Sequence, residues 1–479
     1  MSTTLPEAVP NVAESTTSTP RVSPTNRNAM APEPAGPRQC VLWLSTVAFT
    51  ILFAVWLMLG ILGIKIKSDT QLMLGEAAAA SLSAADAKVA VESRFEWLLA
   101  AAILSGSLLR LSFGIWTDMI GGRKMMTLLL VGCAIPTLGL SYAHNFTELL
   151  LCSLLFGIAG NGFAVGIAWN SAWFPPARKG TALGIFGAGN VGAAGTKLLI
   201  VLVPTVLTLV PVAGYWGGWI PGGWRVVPLM YSALLITMAT AIWFFAPAAD
   251  RKPGNGRPLK QMLAPLQYRR VWRFGFYYVV VFGAYVALSA WLPNYYVNTY
   301  KLDLRTAALL TSLFIFPASL LRPVGGWLSD IFGPRSITYG VFIVMIAATI
   351  PLSLPSQVLS LGVAGFTVLM FTVGVAMGIG KASVYKYIPN YFPNDVGAVG
   401  GLVGLLGALG GFLLPKAFGW LGRETGFPQA AFLSLLVLSS ICLAWLHLVV
   451  LALRKQESMP GGSQPQVDNA KELGSPSEI

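Results

Sequence analysis

Charged side chains are scarce in this sequence: Asp, Glu, Lys and Arg together supply 11% of its 479 residues, less than half of the roughly 25% usual in a water-soluble domain. Hydrophobic residues supply 55%. A chain so poor in charge cannot cover a globular surface with ionised groups. This excludes an ordinary soluble domain and predicts an all-α protein that crosses a membrane many times. Histidine is nearly missing as well, at His144 and His447 alone, and the four cysteines, Cys40, Cys133, Cys152 and Cys442, stand without paired spacing. They give no metal-ligand pattern and no disulfide framework, so no metal and no cofactor is expected. The clustered acids, histidines and nucleophiles of an enzyme site are not found either.

What is present is a series of apolar runs long enough to span a bilayer, at about residues 42–64, 95–117, 125–143, 148–170, 181–203, 226–247, 274–297, 306–328, 336–354, 358–380, 396–418 and 430–452. They predict twelve transmembrane helices, as two six-helix bundles at 42–247 and 274–453 joined by a basic linker at 248–273. Residues 1–41 are rich in Pro, Ser and Thr, and they and residues 454–479 read as disordered tails, with no signal-peptide core at the N-terminus. The linker carries Arg251, Lys252, Arg257, Lys260, Arg269, Arg270 and Arg273. With the linker and both termini in the cytoplasm, the positive-inside rule is obeyed, and the expected location is the inner (plasma) membrane. The formal charge of +13 then follows from topology, and no nucleic-acid partner is needed to explain it.

The two halves repeat each other. Arg110, Gly114, Asp118, Gly121 and Arg123 follow the spacing R-x3-G-x3-D-x2-G-x-R, and Arg322, Gly326, Asp330, Gly333 and Arg335 reproduce it. A second echo pairs Gly180, Gly184 and Gly187 with Gly397, Gly401 and Gly404. Matching halves are typical of transporters, and the spaced glycines predict close helix packing.

Arg110 raises the central question, because it stands inside an apolar run. It lies eight residues before Asp118, about 12 Å along a helix, too far to snorkel easily to the surface. A structural ion pair is the competing explanation for Arg110 and Arg322. No Asp or Glu lies well inside any of the twelve runs, Glu96 and Glu148 being at their edges. Two interior cations at equivalent depths therefore need a partner from outside the chain, and a small anion would serve. The planar guanidinium fork can bind two oxygens of a planar oxyanion in parallel and stays protonated throughout.

Several segments carry a family resemblance. "GIWTDMIGGRKMM" and its second copy "GWLSDIFGPRS" resemble the motif between helices two and three of the major facilitator superfamily. "GIFGAGNVGAAGTK" (residues 184–197) resembles the signature of the nitrate/nitrite porter family, with "GLVGLLGALGGFLLP" as its counterpart, and "FEWLLAAAILSGSLLR" is similar to that family's second helix. The resemblance covers residues 42–453. It implies the major facilitator fold, with twelve transmembrane helices in two pseudo-symmetric six-helix halves, and nitrate transport by alternating access, with nitrite as a further substrate and the monomer as the working unit. It also implies that Arg110 and Arg322 bind substrate together with the signature asparagine Asn190 and the aromatic Tyr278. On the residues alone, helix packing explains Asn190 and Tyr278 equally well.

Nitrate import with protons is the first expected mode, and nitrate/nitrite exchange the second. A non-transporting sensor or a membrane enzyme is a third class, disfavoured by short tails and by the missing cluster of acids. Proton coupling usually needs a titratable group in a span. Arginine cannot serve, which leaves a lysine beside other cations, and Lys197 and Lys386 are the candidates. For Lys386 the alternative is snorkelling to the interface. In the tenth run, Lys381 and Ala382 stand where the family carries small or amide residues. Asp118 with Arg123, and Asp330 with Arg335, are expected to form a conformational latch with a helix end, against the alternative of a plain solvated loop.

Overall fold

The computed structural model describes residues 35–192, 214–355, 357–427 and 429–457. The elements are helices throughout, with no strand among the described residues beyond a single bridge between Tyr215 and Ile220. The helices that build the bundle are α1 (Ala35–Trp56), α2 (Ala84–Leu108), α3 (Arg110–Ile120), α4 (Gly122–Ser141), α5 (Phe146–Phe156), α6 (Gly162–Trp173), α7 (Lys179–Gly187) and α8 (Val226–Phe245). They continue with α9 (Arg269–Tyr278), α10 (Ala284–Tyr300), α11 (Leu304–Leu320), α12 (Arg322–Phe332), α13 (Pro334–Ser353), α14 (Val363–Tyr391), α15 (Val396–Thr425) and α16 (Ala430–Glu457).

Among the described residues ten helical stretches are long and apolar enough to cross a membrane, or eleven if α2 and α3, bent by 40° against each other, form one span. The expected run at 181–203 begins in α7 and passes into residues outside the described ones. α1 starts at Ala35, ahead of its apolar run, and α16 continues to Glu457, so both helices extend into the segments read as tails. The basic linker holds a short helix at Leu259–Leu263, and α9 starts within it at Arg269.

Both repeats break the helix at the same place. α2 ends at Leu108 and α3 begins at Arg110, while α11 ends at Leu320 and α12 begins at Arg322. The leucines between them, Leu109 (φ −81°, ψ −3°) and Leu321 (φ −85°, ψ 4°), have nearly the same backbone conformation. The local causes differ. In the second half Pro317 and Pro323 flank the break, and each removes a backbone donor. In the first half the Ser107 hydroxyl donates to the carbonyl of Ile103, 2.6 Å away, and Arg110 Nε to that of Gly106, 2.9 Å away. Both compete with the helical ladder for its acceptors.

The halves meet along two seams, α3 against α15 and α7 against α12. The matched glycines make both seams possible. A Cβ on Gly114 would fall on the carbonyl of Gly397, and one on Gly326 on the carbonyl of Gly180. One helical turn further in, Gly401 lies against the backbone of Arg110 and Gly184 against that of Arg322. The approach is backbone to backbone, as small residues permit in membrane bundles.

Each seam ends on an aspartate that crosses to the other half. Asp118 Oδ2 accepts from the Gly397 N–H at 2.9 Å, in the first turn of α15. Asp330 accepts from the N–H groups of Gly180 (2.9 Å) and Thr181 (2.7 Å) and from the Thr181 hydroxyl (2.7 Å), in the first turn of α7. The first N–H groups of a helix lack internal partners and favour negative charge, so each half caps a helix of the other. The expected pairing of each aspartate with the arginine of its own motif does not occur. Gly121 (φ 95°) and Gly333 (φ 79°) turn the chain sharply, which carries Arg123 and Arg335 onto the next helices. There Arg123 donates to the carbonyl of Trp243 and lies over its ring, and Arg335 donates to the Tyr391 hydroxyl.

Gly180→Val would put a branched side chain where the Gly326 carbonyl and the Asp330 carboxylate lie, and should part α7 from α12. A cysteine introduced at buried Ser329 should then react with a water-soluble maleimide roughly tenfold faster than in Ser329→Cys alone. Equal rates would show that the seam does not depend on this contact.

Candidate functional site

The two helix breaks set Arg110 and Arg322 in the interior, each fully buried. Arg110 Nη1 donates to the carbonyl of Gly404 on α15 at 3.0 Å, and its guanidinium lies 5.2 Å from the Trp56 ring and 5.8 Å from that of Phe282. Arg322 lies 5.1 Å from the Phe163 ring. Gly404 and Gly187, partners in the glycine repeat, carry no side chain at the points where these guanidinium groups rest on α15 and α7. The repeat therefore has a second use beyond close packing, since its innermost glycines leave room for the arginine heads.

The electrostatics are one-sided. Neither arginine forms an ion pair among the described residues, and four of their nitrogens, Arg110 Nη2 and Arg322 Nε, Nη1 and Nη2, have no hydrogen-bond partner. A buried cation without a counter-charge is costly, and aromatic faces compensate only part of that cost. Such faces are plentiful here. Tyr278 stacks on Phe282 with centroids 4.9 Å apart and lies nearly parallel to Phe163, while Tyr385 meets Tyr278 edge-on at 4.7 Å and Phe163 at 4.9 Å. The Tyr278 hydroxyl faces Arg322 without completing a hydrogen bond, and that of Tyr385 donates to the Gly400 carbonyl at 2.9 Å.

The residues expected at the site are thus placed as follows. Arg110, Arg322 and Tyr278 come together around the ring cluster. Asn190, 1% exposed, lies on a 3-10 turn (Ala188–Val191) against α1 and α11, with neither its amide nitrogen nor its oxygen bonded. Lys197 lies outside the described residues. Lys386 is not at the arginines but at the seam, where its ammonium pairs with Asp330 Oδ1 at 2.5 Å and also donates to the Pro176 carbonyl.

Sequence reasoning missed Trp56, Phe163, Phe282 and Tyr385, which line the site, because an aromatic inside an apolar run carries no mark of the face that it takes. It also gave no role to Asp250. That carboxylate accepts from the backbone N–H of Arg123 and from the indoles of Trp169 and Trp173, tying the linker to α4 and α6.

Two repeated helical halves that close over a buried, cationic, aromatic-lined centre define a secondary membrane carrier. The family model of the Major Facilitator Superfamily matches residues 42–415 and again 306–473. The chain is 52% identical, over 432 residues, to a protein named probable nitrate/nitrite antiporter NarK1 of Thermus thermophilus, covering 87% of this chain and 93% of that one. It is 29% identical over 403 residues to a probable nitrate transporter NarT of Staphylococcus aureus, covering 84% and 93% of the two chains. In fold it is similar to the human organic anion transporter MFSD10 (TM-score 0.64, 14% identity, 86% of this chain and all of that one) and to the E. coli fucose:proton symporter FucP (TM-score 0.63, 14% identity, 85% and 98%). This chain belongs to the Major Facilitator Superfamily, in its nitrate/nitrite porter family.

An uncompensated guanidinium should weaken the empty fold. Arg322→Met keeps the bulk and removes the charge, so in anion-free detergent it should stabilise the protein by about 1–4 kcal/mol, read as a rise in thermal unfolding temperature. A fall in that temperature would mean that Arg322 holds the bundle together.

Proposed function

We propose that this protein is a carrier and not an enzyme, one that moves nitrate, and also nitrite, across the plasma membrane by alternating access and takes nitrate up together with protons. The monomer is the working unit, and the Asp118 and Asp330 end faces the cytoplasm with both termini. The observation that carries this reading is the pair of buried guanidinium groups, one from each half, with four unbonded nitrogens and no acid paired to them among the described residues. A planar anion with two or three oxygens satisfies those donors and neutralises part of the charge. Asn190 would add an amide donor, and Tyr278 a hydroxyl or a ring face. The names of the two relatives above supply the identity of the anion.

With the substrate shared between the halves, alternating access needs no further contact surface. The seams described above close one side, and the aspartates with Lys386 act as their latch. When the anion draws the arginines together, the opposite side can close and the capped helices part.

Nitrate/nitrite exchange is the second reading. It is favoured by the lack of a carboxylate or histidine at the two arginines among the described residues, and by the name of the relative at 52% identity. Purified protein in liposomes separates the two. Labelled nitrate should accumulate when the outside is made more acidic than the inside, with no nitrite present. Strong flux that needs internal nitrite and ignores the pH gradient would put exchange in place of symport.

Charge and shape separate in the same assay. Arg322→Lys keeps the charge and loses the fork, so transport should weaken by about 2–5 kcal/mol or fail. Arg110→Ala should abolish specific uptake while the protein still reaches the membrane. Normal transport by the Lys variant would make Arg322 a point charge only, and uptake by Arg110→Ala would refute a site shared between the halves.

A further inference from the structure

Lys381 is a third fully buried cation in this region, in the middle of α14. Its ammonium makes one hydrogen bond, 2.9 Å to the carbonyl of Ala318 in the last turn of α11, and stands 3.1 Å from the centre of the Tyr285 ring. It is also 5.8 Å from the Phe282 ring, which lies 5.8 Å from the Arg110 guanidinium as well. Lys381 therefore belongs to the aromatic cluster that holds the arginines, whereas Lys386 is committed to Asp330 at the seam.

The groups that face it are neutral or positive. α10 presents Tyr285, whose hydroxyl bonds to Ser319 Oγ of α11 at 2.9 Å. α11 presents the Ala318 carbonyl. Arg322 of α12 is the charged group that acts on it electrostatically. No acid pairs with it among the described residues.

We propose that Lys381 carries the proton that moves with the anion; this rests on the nitrate reading above. The arginines cannot release a proton, and three positive groups around an empty site repel one another. The arriving anion relieves that repulsion. Bound anion and protonated Lys381 then favour each other, and by linkage the protonated lysine strengthens anion binding by the same factor. On the loading side a proton from water forms one N–H bond at Nζ as the anion enters. On the release side that bond breaks and the proton returns to water after the anion has left. One nitrate and one proton together move no net charge.

The sign follows directly, since nitrate affinity should rise as pH falls. For purified unmodified protein in weakly buffered solution with a pH indicator, adding nitrate should make the solution more alkaline. Affinity should increase on the order of tenfold between about pH 9 and about pH 6. Lys381→Arg fixes the charge, and should bind nitrate with no proton uptake and no pH dependence. In liposomes it should keep nitrate/nitrite exchange and lose accumulation driven by a pH gradient. Lys381→Gln should behave alike with weaker binding. A merely structural lysine would not change proton uptake in this way, so proton uptake that persists in the Arg or Gln variant overturns the proposal. Nitrate binding by the unmodified protein without proton uptake at any pH in that range also overturns it, and leaves the nitrate reading standing. No nitrate binding at all overturns both.

Discussion

The structure depends on an electrostatic deficit: Arg110 and Arg322 hold positive charge in the interior of a bundle whose described residues pair no negative charge with either. Their helices break one residue earlier, carbonyls of Gly106 and Gly404 accept from Arg110, and the rings of Trp56 and Phe282 border Arg110 while that of Phe163 borders Arg322. Each of these lowers the cost of burial without removing it. What is left over is four unbonded guanidinium nitrogens, one on Arg110 and three on Arg322. On the function proposed above, an anion that meets these donors would offset part of the remaining cost and so tie occupancy to the packing of the halves.

The glycine ladder connects that deficit to the rest of the fold. From the aspartate end inward, Gly180, Gly184 and Gly187 meet Asp330, the Arg322 backbone and the Arg322 guanidinium in turn, and Gly397, Gly401 and Gly404 meet the equivalent atoms of the other half. One short pattern therefore positions the aspartate cap, the seam and the guanidinium on the same pair of helices.

Much of this was legible in advance because it is encoded in spacing. The repeated R-x3-G-x3-D-x2-G-x-R gives the equivalent depth of the two arginines, and apolar run lengths give the spans. The partners of the motif's charges were not legible. Asp118 and Asp330 turned to backbone N–H groups of the opposite half, which have no sequence signature, and Lys386 followed Asp330. Lys381 looked like a departure from the family pattern, and only the approach of α10 and α11 shows what surrounds it. The four aromatic residues at the site were hidden for the opposite reason, because hydrophobic residues are everywhere in such a chain.

The two seams are alike in backbone and unlike in the bonds their aspartates make. Asp118 holds α15 by one bond to Gly397, whereas Asp330 holds α7 by three and adds the ammonium of Lys386. The two ends therefore differ in what one substitution would remove: losing the Asp118 carboxylate frees one helix N–H, whereas losing that of Asp330 also leaves the buried ammonium of Lys386 without its counter-charge.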